Sequence, residues 1–153
     1  LPPVVINGSL SAGHVFSGLQ GNNCKLMKVE FIGTSAASSQ NLRLHINSNE
    51  AASSVSMQRI VGDGSSISAS SFSSNGAILT SFNAGGHVSQ STAYLLPKVS
   101  QQRPLLIESS RSQSVMRKAA AWYTEELTEI TSLMVKADTA DAIEGILQLS
   151  ILE

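Results

Sequence analysis

Apolar and polar residues alternate with a period of two in short segments along most of the chain, and helical periodicity is almost absent. Met27, Val29 and Phe31 alternate with Lys28 and Glu30. Leu42, Leu44 and Ile46 alternate with Arg43, His45 and Asn47 until Ser48-Asn49-Glu50 signals a turn. The same pattern predicts strands over 14–19, 55–61, 67–72, 77–83, 93–96, 105–108, 115–123 and 130–137, and a last one through Leu147, Leu149 and Ile151. Gly62-Asp63-Gly64, Asn75-Gly76 and Gly85-Gly86 lie between them and supply the turn-prone positions that tight reversals need. A single helical turn is expected over 139–144. About ten short strands separated by turn signals define an all-β protein, an antiparallel β-sandwich of jelly-roll-like type.

Composition narrows the partners more than the fold. The 153 residues carry 10 Lys+Arg against 11 Asp+Glu, a formal net charge of −1. Such a balance supplies no field for steering phosphate backbones, so no nucleic-acid partner is expected. No apolar run approaches the roughly 20 residues that cross a bilayer, so no membrane-spanning segment is expected. Twenty-seven serines and few charges give a small-polar surface typical of extracellular β-proteins and virion parts. Cys24 has no partner in the chain, so the fold must hold without an internal disulfide. Residues 1–153 read as one domain, and the Leu1-Pro2-Pro3 start suggests a fragment of a longer fibrous chain.

Chemistry is sparse. His14, His45 and His87 have no carboxylate or cysteine at metal-ligand spacing, and His45 is expected on the polar side of its strand. No GxSxG elbow marks a serine nucleophile, and no carboxylate pair is set by a motif on facing strands. Asp138, Asp141 and Glu144 are the densest acidic cluster and read as a solvated turn at the start of the expected helical turn. Arg111, Arg117 and Lys118 read as a scattered polar face. No residue pattern calls for a cofactor or metal. The aromatic pair Trp122-Tyr123 reads as core or subunit packing, with a subunit interface the leading functional role.

Trp122-Tyr123-Thr124, Glu129 to Val135, Ala137-Asp138 through Ala142-Ile143, Gly145 and Leu147-Gln148-Leu149 together resemble the C-terminal half of a broad group of tailed-phage virion proteins. Leu42 to Ser48 is similar to that group's strand ending in an Asn-rich turn. The chain departs from the pattern at Ile146, where the group has a serine after the glycine, and lacks its final aromatic-Gly ending.

The resemblance implies single jelly-roll or related β-sandwich domains that are non-enzymatic virion parts. The leading form is a homotrimeric knob at the tip of a tail needle or tail fibre, joined to other virion tail proteins, that contacts or penetrates the host cell envelope. A capsid decoration or cementing protein is the alternative. Ligand contacts would then fall to distal loops, with Asn22, Asn23, Asp63, Gly85, Gly86 and His87 as candidates. Trp122 and Tyr123 are the candidate interface.

Overall fold

The computed structural model describes residues 1–36, 39–83, 86–97, 103–111, 115–123 and 128–153. Twelve strands follow in order: β1 Val4–Ser9, β2 His14–Ser17, β3 Leu26–Ser35, β4 Ser39–Ile46, β5 Val55–Gly62, β6 Ile67–Ser74, β7 Ala77–Asn83, β8 Ser89–Leu95, β9 Pro104–Arg111, β10 Val115–Tyr123, β11 Ser132–Ala137 and β12 Ala142–Leu152. One 3₁₀ turn, Gly21–Asn23, precedes β3.

The strands form an antiparallel β-sandwich. One sheet has the order β1-β12-β3-β8-β9-β10-β5-β6 and the other β2-β11-β4-β7. Its centre is a jelly roll: β1-β12-β3-β8 faces β2-β11-β4-β7, and the chain crosses repeatedly between them. Two excursions, β5–β6 inserted between β4 and β7 and β9–β10 inserted between β8 and β11, pair with each other through β10 and β5. They widen the first sheet beyond the second and create an overhang.

Alternation aims one set of side chains into the space between the sheets. Met27, Val29 and Phe31 of β3 meet Leu42 and Leu44 of β4, Leu133 and Val135 of β11 and Phe82 of β7 there, all buried. The Phe31 and Phe82 rings touch edge to face, centroids 5.8 Å apart, joining the sheets. Tyr123 of β10 donates its hydroxyl to the Leu44 carbonyl at 2.7 Å, tying the β9–β10 excursion to the small sheet.

Two expectations need correction. Val4–Ser9 is a strand: it pairs with β12, and its short alternation of Val4 and Ile6 was hidden by the Pro-Pro start and Gly8. No helical turn forms over 139–144. Asp138 takes two hydrogen bonds from Arg43 and one from Asn41, Thr139 donates to Gln40 Oε1 at 2.9 Å, and Ala142–Ile143 is already strand. These side-chain bonds close a tight reversal instead of a helix. His45 keeps the side of β4 opposite Leu44 and Ile46 but is only 1% exposed, because Gly76 closes over its ring and its Nδ1 lies 2.9 Å from the Asn49 carbonyl.

The wiring also sorts the ends. Register carries the beginnings of β1, β3, β5 and β9 and the finishes of β8, β10 and β12 to one end of the large sheet. Leu1 is there too, its amino group donating to the Leu149 carbonyl at 3.0 Å, as is Glu153. The opposite end carries the connections β1–β2, β5–β6, β7–β8 and β11–β12.

Candidate functional site

The overhang of β9, β10, β5 and β6 adds Val55, Met57, Leu105, Ile107 and Tyr123 to the core and presents its remaining side chains outside it. Its two faces differ in chemistry.

On the outer face, Leu106 of β9, Lys118 and Ala120 of β10, Gln58 and Ile60 of β5 and Ala69 and Ser71 of β6 line an open groove of about 590 Å³. Leu106 and Ile60 are 49% and 56% exposed. The Lys118 ammonium is held by Glu108 at 2.9 Å, so the groove carries no unbalanced charge from that pair. Trp122 lies half-buried on the same face of β10, opposite Pro104 and Ser56. Across β8, at the other side of the sheet, Val5, Ile146 and Ile32 sit in one cross-strand row, 78%, 46% and 46% exposed. The outer face therefore carries two separate apolar regions of different shape, divided by β8, with Ile32 and Leu106 two strand intervals or about 10 Å apart across the sheet.

On the inner face, near the end that carries the β5–β6 turn, Arg59 of β5, Arg111 of β9 and Arg117 of β10 converge. Arg117 pairs in register with Ser109 and Val61, and Arg59 with Ser70. Arg117 donates through Nη1 to Ser81 of β7 at 2.8 Å, and Ser81 donates onward to Asn41 Oδ1 at 2.6 Å. The Arg117 Nε is buried with no partner among the described residues. Arg59 donates through Nε to Ser70 at 3.0 Å and lays its guanidinium over the Phe72 ring, 4.9 Å from the centroid. Burial, and then the like charges of Arg59 and Arg111, push the Arg117 pKa down to about 10. No carboxylate reaches the three arginines among the described residues: Glu30, Glu50, Glu108 and Asp138 are engaged by Lys28, Lys136, Lys118 and Arg43. The scattered polar face expected for Arg111, Arg117 and Lys118 thus divides, with Lys118 outward in an ion pair and the two arginines inward with Arg59. Strand register assembles this cluster, and nothing in the sequence spacing of residues 59, 111 and 117 announces it.

The candidate loop residues separate as well. Asp63 and the Gly86-His87 pair belong to the end away from Leu1 and Glu153, three strand intervals apart in the large sheet, while Asn22 and Asn23 lie beside the termini. Gly85 lies outside the described residues. Asp63 Oδ1 accepts from the Ser65 and Ser66 amides at 2.9 and 2.7 Å, and both serine hydroxyls donate to the same carboxylate. Those four bonds hold its pKa well below the usual carboxylate range and engage it in shaping the turn. Gly86 is exposed at φ +70°, and His87 is half-buried. Asn23 donates to Gln20 Oε1 at 2.9 Å and the Asn22 amide to Glu129. Tyr123 is a core residue, its hydroxyl used inside the subunit, which leaves Trp122 as the member of the aromatic pair near the surface.

The Cys24 thiol is buried, donates to the Gln20 carbonyl at 3.1 Å, and is pushed up by burial and by Glu153 and Glu129. It is therefore a poor nucleophile. Among the described residues no group of His, Cys, Asp and Glu is arranged to hold a metal ion, and no helix is long and apolar enough to cross a membrane.

No protein-family model matches the chain, and no curated protein matches it. Among solved structures it is similar to a galectin from Caenorhabditis elegans, 10% identical, covering 97% of this chain and 95% of that one at a TM-score of 0.40. A scytalido-glutamic peptidase bound to a transition state analog inhibitor aligns at 11% identity, over 99% and 77% of the two chains, TM-score 0.39. An alginate lyase in complex with alginate tetrasaccharide aligns at 7% identity, over 99% and 98%, TM-score 0.25. At these scores the likenesses carry no argument about activity.

Proposed function

We propose that the chain is a non-enzymatic virion domain of a tailed phage, a homotrimeric knob at the tip of a tail needle or tail fibre that contacts or penetrates the host envelope. The observation that carries this reading is the pair of unlike apolar regions on the outer face of the eight-stranded sheet, Val5, Ile32 and Ile146 on one side and the Leu106–Ile60 groove on the other. Two different patches on one subunit suit a heterologous contact, in which one patch of each copy meets the other patch of the next. Such contacts close into a ring when the rotation is 120°.

Two further features support it. Two of the stretches that carry the resemblance to phage virion proteins, Leu42 to Ser48 and Glu129 to Val135, are in direct contact. β11 pairs with β4, and Asn47 Oδ1 accepts from the Thr131 and Ser132 amides at 2.8 and 3.1 Å while its Nδ2 donates to the Glu129 carbonyl at 2.9 Å. Leu1 and Glu153 share one end of the sandwich, so a shaft joined there leaves Asp63, Gly86 and His87 at the far end for a receptor. Asn22 and Asn23 then face the shaft.

Light scattering coupled to size exclusion tests assembly: a species of about 48 kDa, three times 16.1 kDa, that persists on dilution is expected. A monomer overturns the knob. Immunogold labelling of purified tailed particles tests place, with label expected at the tail tip. Label over the capsid shell would identify a decoration protein instead.

A further inference from the structure

The inner face of the overhang carries three arginines with no carboxylate beside them among the described residues, and this is independent of how the domain assembles. A protein that needed only to fill this corner would use apolar residues or pair the charges, because like charges brought together out of water destabilise the folded state. Instead the Arg59 and Arg117 guanidinium groups are each held with part of the donor fork unused among the described residues. Arg59 is steadied by the Phe72 ring and by Ser70 through Nε, which leaves its terminal nitrogens for another acceptor. Arg117 is anchored at Nη1 by the Ser81–Asn41 relay, and its Nε is buried with no acceptor among the described residues. Arg111 ends β9 opposite Val115 and adds a third charge from the same face.

We propose that Arg59, Arg111 and Arg117 form a binding site for a tetrahedral oxyanion of the phosphate or sulfate class. A planar guanidinium presents parallel N–H donors that match two oxygens of such an anion, and several forks around one centre satisfy its remaining oxygens. The hydroxyls of Ser70 and Ser81 sit within the same cluster and add donors of adjustable direction. Anion binding would supply the missing acceptor for Arg117 Nε and cancel the repulsion among the three side chains. Besides adding Val55, Met57, Leu105 and Ile107 to the core, the overhang brings β5 and β10 together so that arginines 58 residues apart in sequence share one ligand.

The test is titration of the purified domain with sodium phosphate against sodium chloride at equal ionic strength, read by thermal unfolding and isothermal calorimetry. Phosphate is expected to raise Tm saturably beyond the chloride control, and Arg59→Gln and Arg111→Gln are each expected to weaken phosphate at least tenfold. Equal shifts by the two salts, or unchanged phosphate affinity in both variants, overturn the site. Arg59 and Arg111 are only half-buried, so the fold tolerates either substitution and the two variants test the site independently. A parallel titration with glucose 6-phosphate separates two sources of the anion. Tighter binding than phosphate, lost in the same variants, identifies a sugar-borne group, and equal or weaker binding identifies the free anion.

Discussion

Gly33 and Gly145 oppose each other across β3 and β12, on the side of the sheet that faces the core. A Cβ on Gly33 would meet the Glu144 carbonyl, lie 2.8 Å from the Gly145 Cα and press to 2.7 Å against Phe31 Cζ. One on Gly145 would meet the Ile32 carbonyl and come within 3.1 Å of Phe31 Cε2. The Phe31 ring therefore occupies the space that two side chains would fill, and it does so while holding its edge-to-face contact with Phe82. Gly145→Ala forces either the ring or the strand pair to move. A loss of about 1–3 kcal/mol is expected, the usual cost of overpacking, and urea unfolding with an unchanged slope would measure it. Stability within experimental error of the parent would show that Phe31 is not fixed.

Tyr123 and Trp122 are neighbours with opposite roles. Tyr123→Phe removes the donor to the Leu44 carbonyl and leaves that buried acceptor without it, at a cost of about 1–2 kcal/mol. For a chain of this size that is a fall in Tm of roughly 2–4 °C per kcal/mol. Oligomeric mass should not change. Trp122→Ala should change surface behaviour more than a fully buried aromatic would, since it lies on the outer face beside Pro104. A mass change with Tyr123→Phe would return it to the interface.

Most strands are legible in the sequence because alternation is a local signal: β7 and β10 match their expected bounds, and β3, β4, β5 and β6 differ only at their ends. β1 escapes because its apolar positions are few and next to Pro2 and Pro3, although Ile6 is buried once β12 lies beside it. The turn at 138–141 misleads for a different reason. Its acids resemble a helix start, yet Asp138 serves Arg43 on a strand 95 residues away, a bond that no window of sequence contains. The arginine cluster is hidden in the same way. Arg117 and Lys118 are adjacent and point to opposite faces, so only the pairing of β10 with β5 and β9 reveals that Arg117 belongs with Arg59 and Lys118 with Glu108.

Acid should weaken the fold through His45. Its Nδ1 lies 2.9 Å from the Asn49 carbonyl, and Gly76 closes over the ring, where a Cβ would stand 2.7 Å from Cε1. Burial pushes its pKa below the ordinary 6.5, against the opposing pull of the Asn49 carbonyl and Glu50; Lys136 and Arg43 push the same way as burial. The unfolded chain then binds a proton near pH 6.5 that the folded chain resists, so stability falls as pH drops from 6.5 towards the lower folded value. Glu50, held below 4.5 by Lys136, titrates in a lower window and does not confuse the reading. The urea midpoint should drop between about pH 7.5 and 5.5 in the parent and stay flatter in His45→Gln. Parallel curves would mean that His45 titrates as it does in the unfolded chain.

The two apolar regions of the outer face make a prediction that a self-complementary contact would not. In a heterologous ring each interface uses the Val5–Ile32–Ile146 row of one copy and the Leu106–Ile60 groove of its neighbour, so a charge placed in either region breaks every interface. Ile32→Lys and Leu106→Lys should each give a monomer, although the two side chains lie on opposite sides of β8 within one subunit. Mixing the two variants adds the sharper test. The Ile32→Lys chain has lost its row but keeps its groove, and the Leu106→Lys chain has lost its groove but keeps its row. A mixed pair therefore retains one contact between an unaltered row and an unaltered groove, and nothing further can add to it. Equimolar mixing should restore a dimer and no trimer. Val15→Lys, on β2 of the other sheet and 44% exposed, should leave the trimer intact. Rescue to a full trimer, or dissociation by Val15→Lys, would move the interface to another face.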